Sequence, residues 1–70
     1  MPVIRKLGLG LWEVRSHLGQ GIARVIFTVE GDTMVLLHGL VKKSRKIPVR
    51  DVRTARRRLA DLGGEERDEA

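Results

Sequence analysis

The feature that most constrains the fold is an apolar run at positions 34–41, MVLLHGLV, which is followed directly by a cluster of cations. The run has β-branched members and no helical spacing, so it predicts a β-strand covered on both faces and central in a sheet. Positive charge held at the end of such a rigid element is suited to binding phosphates. The clustered cations are Lys42, Lys43, Arg45 and Lys46.

Two further strands are predicted ahead of this run. Residues 11–18 alternate between two faces, which indicates a half-buried strand. Residues 22–29 are rich in β-branched side chains, and Arg24 is their only charge. Glycines between the strands allow tight turns, so we predict a three-stranded antiparallel meander. Residues 1–10 contain two glycines and predict an irregular lead-in.

Beyond the basic cluster the hydrophobic period changes to that of a helix. Pro48 is suited to begin this helix and Gly63-Gly64 to end it. We therefore predict an α+β fold in one domain, residues 1–64, followed by a disordered acidic tail, residues 65–70. The predicted apolar stripe consists of Val49, Val52, Ala55, Leu59 and Leu62.

The charge of the chain is unevenly distributed. Residues 42–58 carry nine bases and one acid, a net of +8, whereas residues 59–70 carry a net of −4. A basic block beside an acidic tail predicts a polyanionic partner, with nucleic acid as the first candidate. The alternative is a solvated helix face that serves only solubility.

Composition excludes several classes of protein and site. The chain has no cysteine, which excludes disulfides and thiolate metal sites and is typical of the reducing cytoplasm. Its two histidines are too few for an all-protein zinc site, and no cofactor is predicted. No apolar stretch is long enough to span a bilayer, so we expect no membrane association.

No nucleophile–base pair, paired carboxylates or glycine-rich phosphate loop is present, so cations are the candidate functional groups. Arg24 is the most informative, because a charge within an apolar strand is costly to bury without a partner. It either forms a salt bridge to Glu13 or holds a phosphate through a bidentate contact of its guanidinium. For His38, a core histidine with a satisfied nitrogen is favoured over a catalytic one.

Three segments carry a resemblance to a known family. They are LWEVR, the G-I-x-R-V strand that ends in Arg24, and LLHGLVKKSRKIP followed by an A-x-R-R helix. In this order, over about residues 6–62, the chain resembles the phage-derived branch of the RelE/HigB toxins of bacterial toxin–antitoxin modules. The resemblance implies the later part of a RelE-like toxin fold.

The resemblance also implies a function, namely ribosome-dependent cleavage of messenger RNA that a helix-turn-helix antitoxin restrains. In such enzymes the 2′-hydroxyl of the RNA attacks the adjacent phosphate, and the protein supplies acid–base groups and positive charge. The implied catalytic residues are Arg24 as transition-state clamp, Lys42 and Lys43 as phosphate or proton-transfer groups, and Arg15. Within this function we predict that RNA is bound by Arg45, Lys46, Arg50, Arg53 and Arg57.

Two departures from the family leave alternatives open. The chain begins about ten residues before LWEVR, where family members have a further strand and two helices. We therefore expect part of the hydrophobic face of the sheet to have no element packed on it. Such a sheet is expected to self-associate through an open edge or to be held by an antitoxin segment. The chain also has no tyrosine and no histidine after His38. A shortened, non-catalytic relative that binds antitoxin or nucleic acid is therefore the second hypothesis, and an architectural DNA-binding protein the third.

Overall fold

The structure is a computed structural model that describes residues 3–69, with side chains for residues 3–63. It consists of a four-stranded antiparallel sheet in the order β1-β2-β3-β4 and one helix that follows the sheet. The α+β class predicted from the sequence is therefore present. The elements are β1 (Val3–Gly8), β2 (Leu11–Leu18), β3 (Gly21–Glu30), β4 (Thr33–Lys42) and α1 (Val49–Glu69).

The prediction of only three strands is wrong, because the expected irregular lead-in contains β1. This strand pairs with β2 so that Ile4 lies opposite Val14. Gly8 and Gly10 have φ angles of 99° and 83°, which residues other than glycine rarely adopt. The two glycines therefore make a tight β1–β2 turn, whereas the sequence pattern alone suggested irregular structure.

The prediction that residues 34–41 form a central strand is also wrong, because β4 lies at the edge of the sheet. Leu36 is 65% exposed, and Met34 and Val41 are also exposed. Their side chains lie on the sheet face opposite the helix, where no described element packs on them. The apolar run correctly indicated a strand, but hydrophobicity does not specify which neighbours a strand has.

The core lies between the sheet and α1. Its buried members are Leu11 of β2, Ile26 of β3, Leu37 of β4 and Ala55 of α1. The helix contacts β3 and β4 most closely, and Leu7 of β1 packs against the same core, while Arg5 of β1 stays exposed. This asymmetric packing leaves room for a cleft beside the helix.

A β-bulge interrupts the pairing of β3 with β4. Ile26 lies opposite His38 and Phe27 lies opposite Leu36, so Leu37 is an extra residue on β4. The Leu37 side chain enters the core, and its carbonyl accepts a hydrogen bond from Arg58 of α1 at 2.7 Å. The bulge thus sets the position of His38 relative to the helix.

The helix begins where the sequence predicted but ends later. The carbonyl of Pro48 accepts hydrogen bonds from the amides of Asp51 (3.0 Å) and Val52 (3.3 Å), which closes the first turn. The helix continues through Gly63-Gly64 to Glu69, so the predicted end at the glycines is wrong. Neither glycine is forced to terminate a helix, since glycine is only about 1 kcal/mol less favourable there than alanine. The division into a domain of residues 1–64 and a tail of residues 65–70 stays a prediction.

Candidate functional site

A buried ion pair lies on the helix side of the sheet. Glu13 of β2 and Arg24 of β3 are each 1% exposed, and Arg24 Nη1 donates to Glu13 Oε2 at 3.0 Å. Arg15 is half-buried beside them, with its Nε 3.7 Å from Glu13 Oε1. Of the two alternatives for Arg24, the salt bridge to Glu13 is therefore the one that the structure contains. Each buried charge has an opposite charge that offsets part of its desolvation.

Arg24 also ties the β4–α1 connection to the sheet. Its Nη2 donates to the carbonyl of Ser44 at 2.7 Å and to the carbonyl of Arg45. One buried guanidinium thereby orients the backbone that presents Arg45 and Lys46. The Nε of Arg24 has no hydrogen-bond partner, but the side chain is 1% exposed, so a phosphate would reach it only if the surrounding groups moved. Direct contact of Arg24 with RNA remains a prediction, whereas its positioning of the connection is observed.

A cleft of about 310 Å³ lies above the ion pair, between β1 and the β4–α1 connection. Arg45 and Lys46 are exposed on one side of the cleft and Arg5 on the other, and Leu7 and Ile47 supply apolar walls. With Arg24 included, the residues of the described part of the chain that line the cleft comprise four cations and one carboxylate, that of Glu13. An excess of positive charge in a concave site attracts anions such as phosphate groups.

The residues predicted to be catalytic are only partly brought together. Arg15 and Arg24 meet through Glu13. Lys42 is half-buried and lies opposite Ile22 of β3, while Lys43 is exposed and faces a separate recess beside the β2–β3 turn. Arg45 lines both the recess and the cleft, and it is the residue that connects them.

The arginines predicted to bind RNA on the helix are solvent-accessible. Arg50, Arg53 and Arg57 are all exposed, and they follow one another at spacings of three and four residues. Such spacing places side chains on one side of a helix. This side of α1 is therefore a strip of positive charge.

A second polar cluster joins β4 to α1. His38 Nε2 lies 2.7 Å from Asp51 Oδ1, and Arg58 Nη1 lies 3.3 Å from His38 Nδ1. The hydrogen bond from His38, followed by nearby positive charge, holds the pKa of the Asp51 carboxyl below its ordinary value of 3.8. His38 is 18% exposed and Asp51 14%. The predicted satisfied histidine is confirmed, although it lies at the boundary between sheet and helix.

Sequence reasoning missed Arg5 as a cleft residue and Asp51 and Arg58 as partners of His38. Arg5 lies in the segment that was predicted to be irregular. Asp51 and Arg58 are seven residues apart, a spacing that places both on one side of a helix and was available from the sequence. Their contact with His38 depends on the bulge in β4, which lies close to Gly39, a residue whose place within a strand is compatible with a bulge or with a close backbone approach.

No three His, Asp or Glu side chains are grouped to hold a metal ion within the part of the chain that the structure describes. Over the same residues, α1 is not long and apolar enough to cross a membrane.

Comparison with models of known protein families identifies the family of the chain. Residues 1–60 match the family described as phage-derived protein Gp49-like (DUF891). The chain belongs to this Gp49-like family. The family is associated with RelE/HigB-like toxins, so the Gp49-like chain is toxin-like, in agreement with the resemblance of its motifs. Comparison with curated proteins and with solved structures gives no match.

Proposed function

We propose that this Gp49-like chain is the toxin of a toxin–antitoxin module and cleaves messenger RNA on the ribosome, as RelE- and HigB-like toxins do. The observation that carries this proposal is the cationic cleft, in which Arg45 and Lys46 extend from a connection that the buried Glu13–Arg24 pair positions. The family supports the toxin-like character, and the cleft supports an RNA backbone as the ligand.

In this proposal the cleft binds the phosphates that flank the cleaved bond. Arg45 and Lys46 contact them directly, and Arg24 acts at least by holding the connection in place. Arg15 and Lys42 supply positive charge nearby, and Lys43 binds the RNA that leaves the cleft through the adjoining recess. The exposed strip of Arg50, Arg53 and Arg57 extends the contact along the RNA or toward the ribosome.

The proposed protein partner is a helix-turn-helix antitoxin. An acidic or amphipathic segment of it would lie against the sheet or against residues 42–58, whose net charge is +8, and would cover the cleft. The edges β1 and β4 of the sheet also allow self-association in its absence. Sedimentation at moderate salt, with and without the antitoxin, tests this. A protein that is monomeric and shows dispersed amide resonances without any partner would contradict the expectation that it self-associates when the antitoxin is absent.

The test of the proposed activity is induced expression in bacteria followed by mapping of message ends. We expect growth arrest and cleaved messages with 5′-hydroxyl ends. The variant Arg45→Gln/Lys46→Gln should abolish both effects while the protein still folds, because both side chains are exposed. Lys6→Gln, which removes a cation from the opposite face of the sheet, is the matched control and should behave like the wild type. Intact messages in cells that contain folded wild-type protein would refute the activity.

One observation favours the alternative of a non-catalytic binding protein. Arg24 is buried, and its Nη1 and Nη2 are held by Glu13 and two carbonyls. Binding of RNA by the exposed cations is therefore the function that needs no rearrangement of the protein. This alternative predicts RNA binding that weakens steeply with salt and leaves the message intact.

A further inference from the structure

The face of the sheet opposite α1, here called the outer face, is apolar, and none of the described elements packs on it. We propose that the outer face is the surface through which two copies of this chain pack face to face as a dimer. This inference goes beyond the proposed RNA cleavage and does not depend on it, because the cleft and α1 lie on the other side of the sheet. It is also distinct from pairing through the edges β1 and β4, which would leave the outer face uncovered.

The strand register places apolar side chains from all four strands on the outer face. Residues directly opposite each other in an antiparallel sheet share a face, and Trp12, Phe27 and Leu36 form one such row across three strands. Alternate residues along each strand extend this face in both directions. Its apolar side chains that are more than half exposed are Ile4, Leu18, Val29, Met34, Leu36 and Val41.

The outer face carries very little charge. Within the described strands, Lys6 is the one charged residue on this face, and its Nζ lies 5.7 Å from the centroid of the Trp12 ring. Lys6 belongs to the edge strand β1, so its ammonium group can reach solvent at the rim of an interface with an apolar centre. A solvated face of an antiparallel sheet ordinarily carries polar side chains. The composition of the outer face therefore indicates a surface that becomes covered.

The size of the outer face suits a second copy of the same sheet. Strands of six to ten residues, about 4.8 Å apart and rising about 3.3 Å per residue, cover about 500 Å² in projection. A face-to-face pair would bury about 1,000 Å² in total, which reaches the minimum area of a specific interface. Two sheets with apolar faces pack about 10 Å apart with interdigitating side chains, as in a β-sandwich.

The distribution of charge favours a second copy over an acidic partner. An acidic segment would find only Lys6 as a cation on the outer face, whereas residues 42–58, with a net charge of +8, attract it elsewhere. An uncharged apolar face is complementary to an identical face, because neither copy has to supply an opposite charge. The outer face is therefore matched by itself and not by the anion that the basic block binds.

Face-to-face packing keeps the basic surfaces of both copies apart and open. Arg45 and Lys46 line the cleft on the helix side of the sheet, so in the dimer the two clefts would point away from each other. Both sheets lie between the two clefts, a separation of more than about 10 Å, which exceeds the Debye length of about 8 Å at physiological ionic strength. Repulsion between the two copies is therefore largely screened, and each cleft remains accessible to RNA.

The deciding experiment compares two double variants that add the same charge. Leu36→Lys/Val41→Lys places two cations on the outer face. The matched control Leu9→Lys/Val49→Lys places them in the β1–β2 turn and at the start of α1. All four side chains are more than 60% exposed, so both variants should fold. In sedimentation equilibrium at micromolar concentrations, the wild type and the control should dimerise. The outer-face variant should have a dissociation constant raised by about a hundredfold or more, because unpaired charges are costly to bury.

Trp12 provides a second readout that needs no variant. It is the only tryptophan of the chain and is half-buried on the outer face. Its emission should move to shorter wavelength as the concentration of the wild type rises, since dimerisation removes water from the ring. Pairing through β1 or β4 would leave Trp12, which lies on the inner strand β2, in unchanged surroundings. The emission therefore separates a face contact from an edge contact.

Each contrary outcome has a definite meaning. A wild type that stays monomeric over this range would overturn the proposed dimer. Equal dissociation of the two double variants, or dimers whose Trp12 emission does not change with concentration, would overturn it as well, since the contact would lie elsewhere. An emission shift that occurs only on addition of the antitoxin, or of phosphatidylglycerol vesicles, would assign the outer face to that partner instead. Message cleavage is measured separately, so none of these outcomes decides the proposed RNA cleavage.

Discussion

Removal of one partner of the Glu13–Arg24 pair should destabilise the protein strongly. Both side chains are 1% exposed, so Glu13→Gln leaves the Arg24 charge buried without its carboxylate. Arg24→Met leaves the buried Glu13 charge with only the more distant Arg15, at 3.7 Å, to offset it. Breaking a buried pair from one side costs about 3–5 kcal/mol. A chain of 70 residues has a total free energy of unfolding of about 4–10 kcal/mol. Either single variant should therefore be close to unfolding.

The double variant Glu13→Leu/Arg24→Met should recover most of this loss, because it removes both charges and keeps apolar volume. Replacement of a whole buried pair is often neutral or stabilising. The double variant should nevertheless bind RNA more weakly, since the carbonyls of Ser44 and Arg45 lose the donor that positions the connection. This separates the contribution of Arg24 to folding from its contribution to the cleft.

Urea unfolding followed by Trp12 fluorescence measures these free energies, and RNA titration measures the binding. Arg53→Met is the matched control, because it removes an exposed arginine and should change the free energy of unfolding by less than about 0.5 kcal/mol. Single substitutions that each cost under about 1 kcal/mol, or a double variant no more stable than the single ones, would refute the reasoning. In that case the pair would be solvated in solution and would not hold the connection.

Three further results are expected. The pKa of Asp51 is lowered in the folded protein, so its stabilising contribution is present above about pH 4 and is lost as the pH falls through the folded value. The free energy of unfolding measured in urea should therefore fall more steeply with acid in the wild type than in Asp51→Asn. Gly63→Ala should raise the free energy of unfolding by about 0.4–1 kcal/mol, since the helix continues there and an added methyl meets no atom within 4 Å. Gly10→Ala should lower the free energy of unfolding, because φ at Gly10 is +83°. A less stable Gly63→Ala protein in thermal unfolding would indicate that the helix ends at this glycine. In filter-binding titrations, loss of Arg45 and Lys46 should make the slope of log binding constant against log salt concentration shallower by an amount that corresponds to about two phosphate contacts. An unchanged slope would indicate that RNA binds elsewhere.

Local patterns in the sequence were sufficient to predict β2, β3 and the start of α1. The alternation in residues 11–18, the β-branched run in residues 22–29 and the helical spacing after Pro48 each depend on neighbours that are close in the chain. The concentration of positive charge in residues 42–58 was equally evident, because it requires no knowledge of the fold. The Gly8 and Gly10 pair showed the limit of this reasoning, since glycine indicates a turn and an irregular segment equally well.

Only the tertiary structure decided which neighbours each element has. It placed β4 at the edge of the sheet, gave Arg24 its partners Glu13 and the connection, and joined His38 to α1 through the bulge at Leu37. These contacts join residues 11 to 21 positions apart in the chain, so no local period encodes them. The sequence determined which charges the protein has and on which elements they lie. Sheet order and helix packing determined which of them are buried as a pair and which remain free to bind an anion.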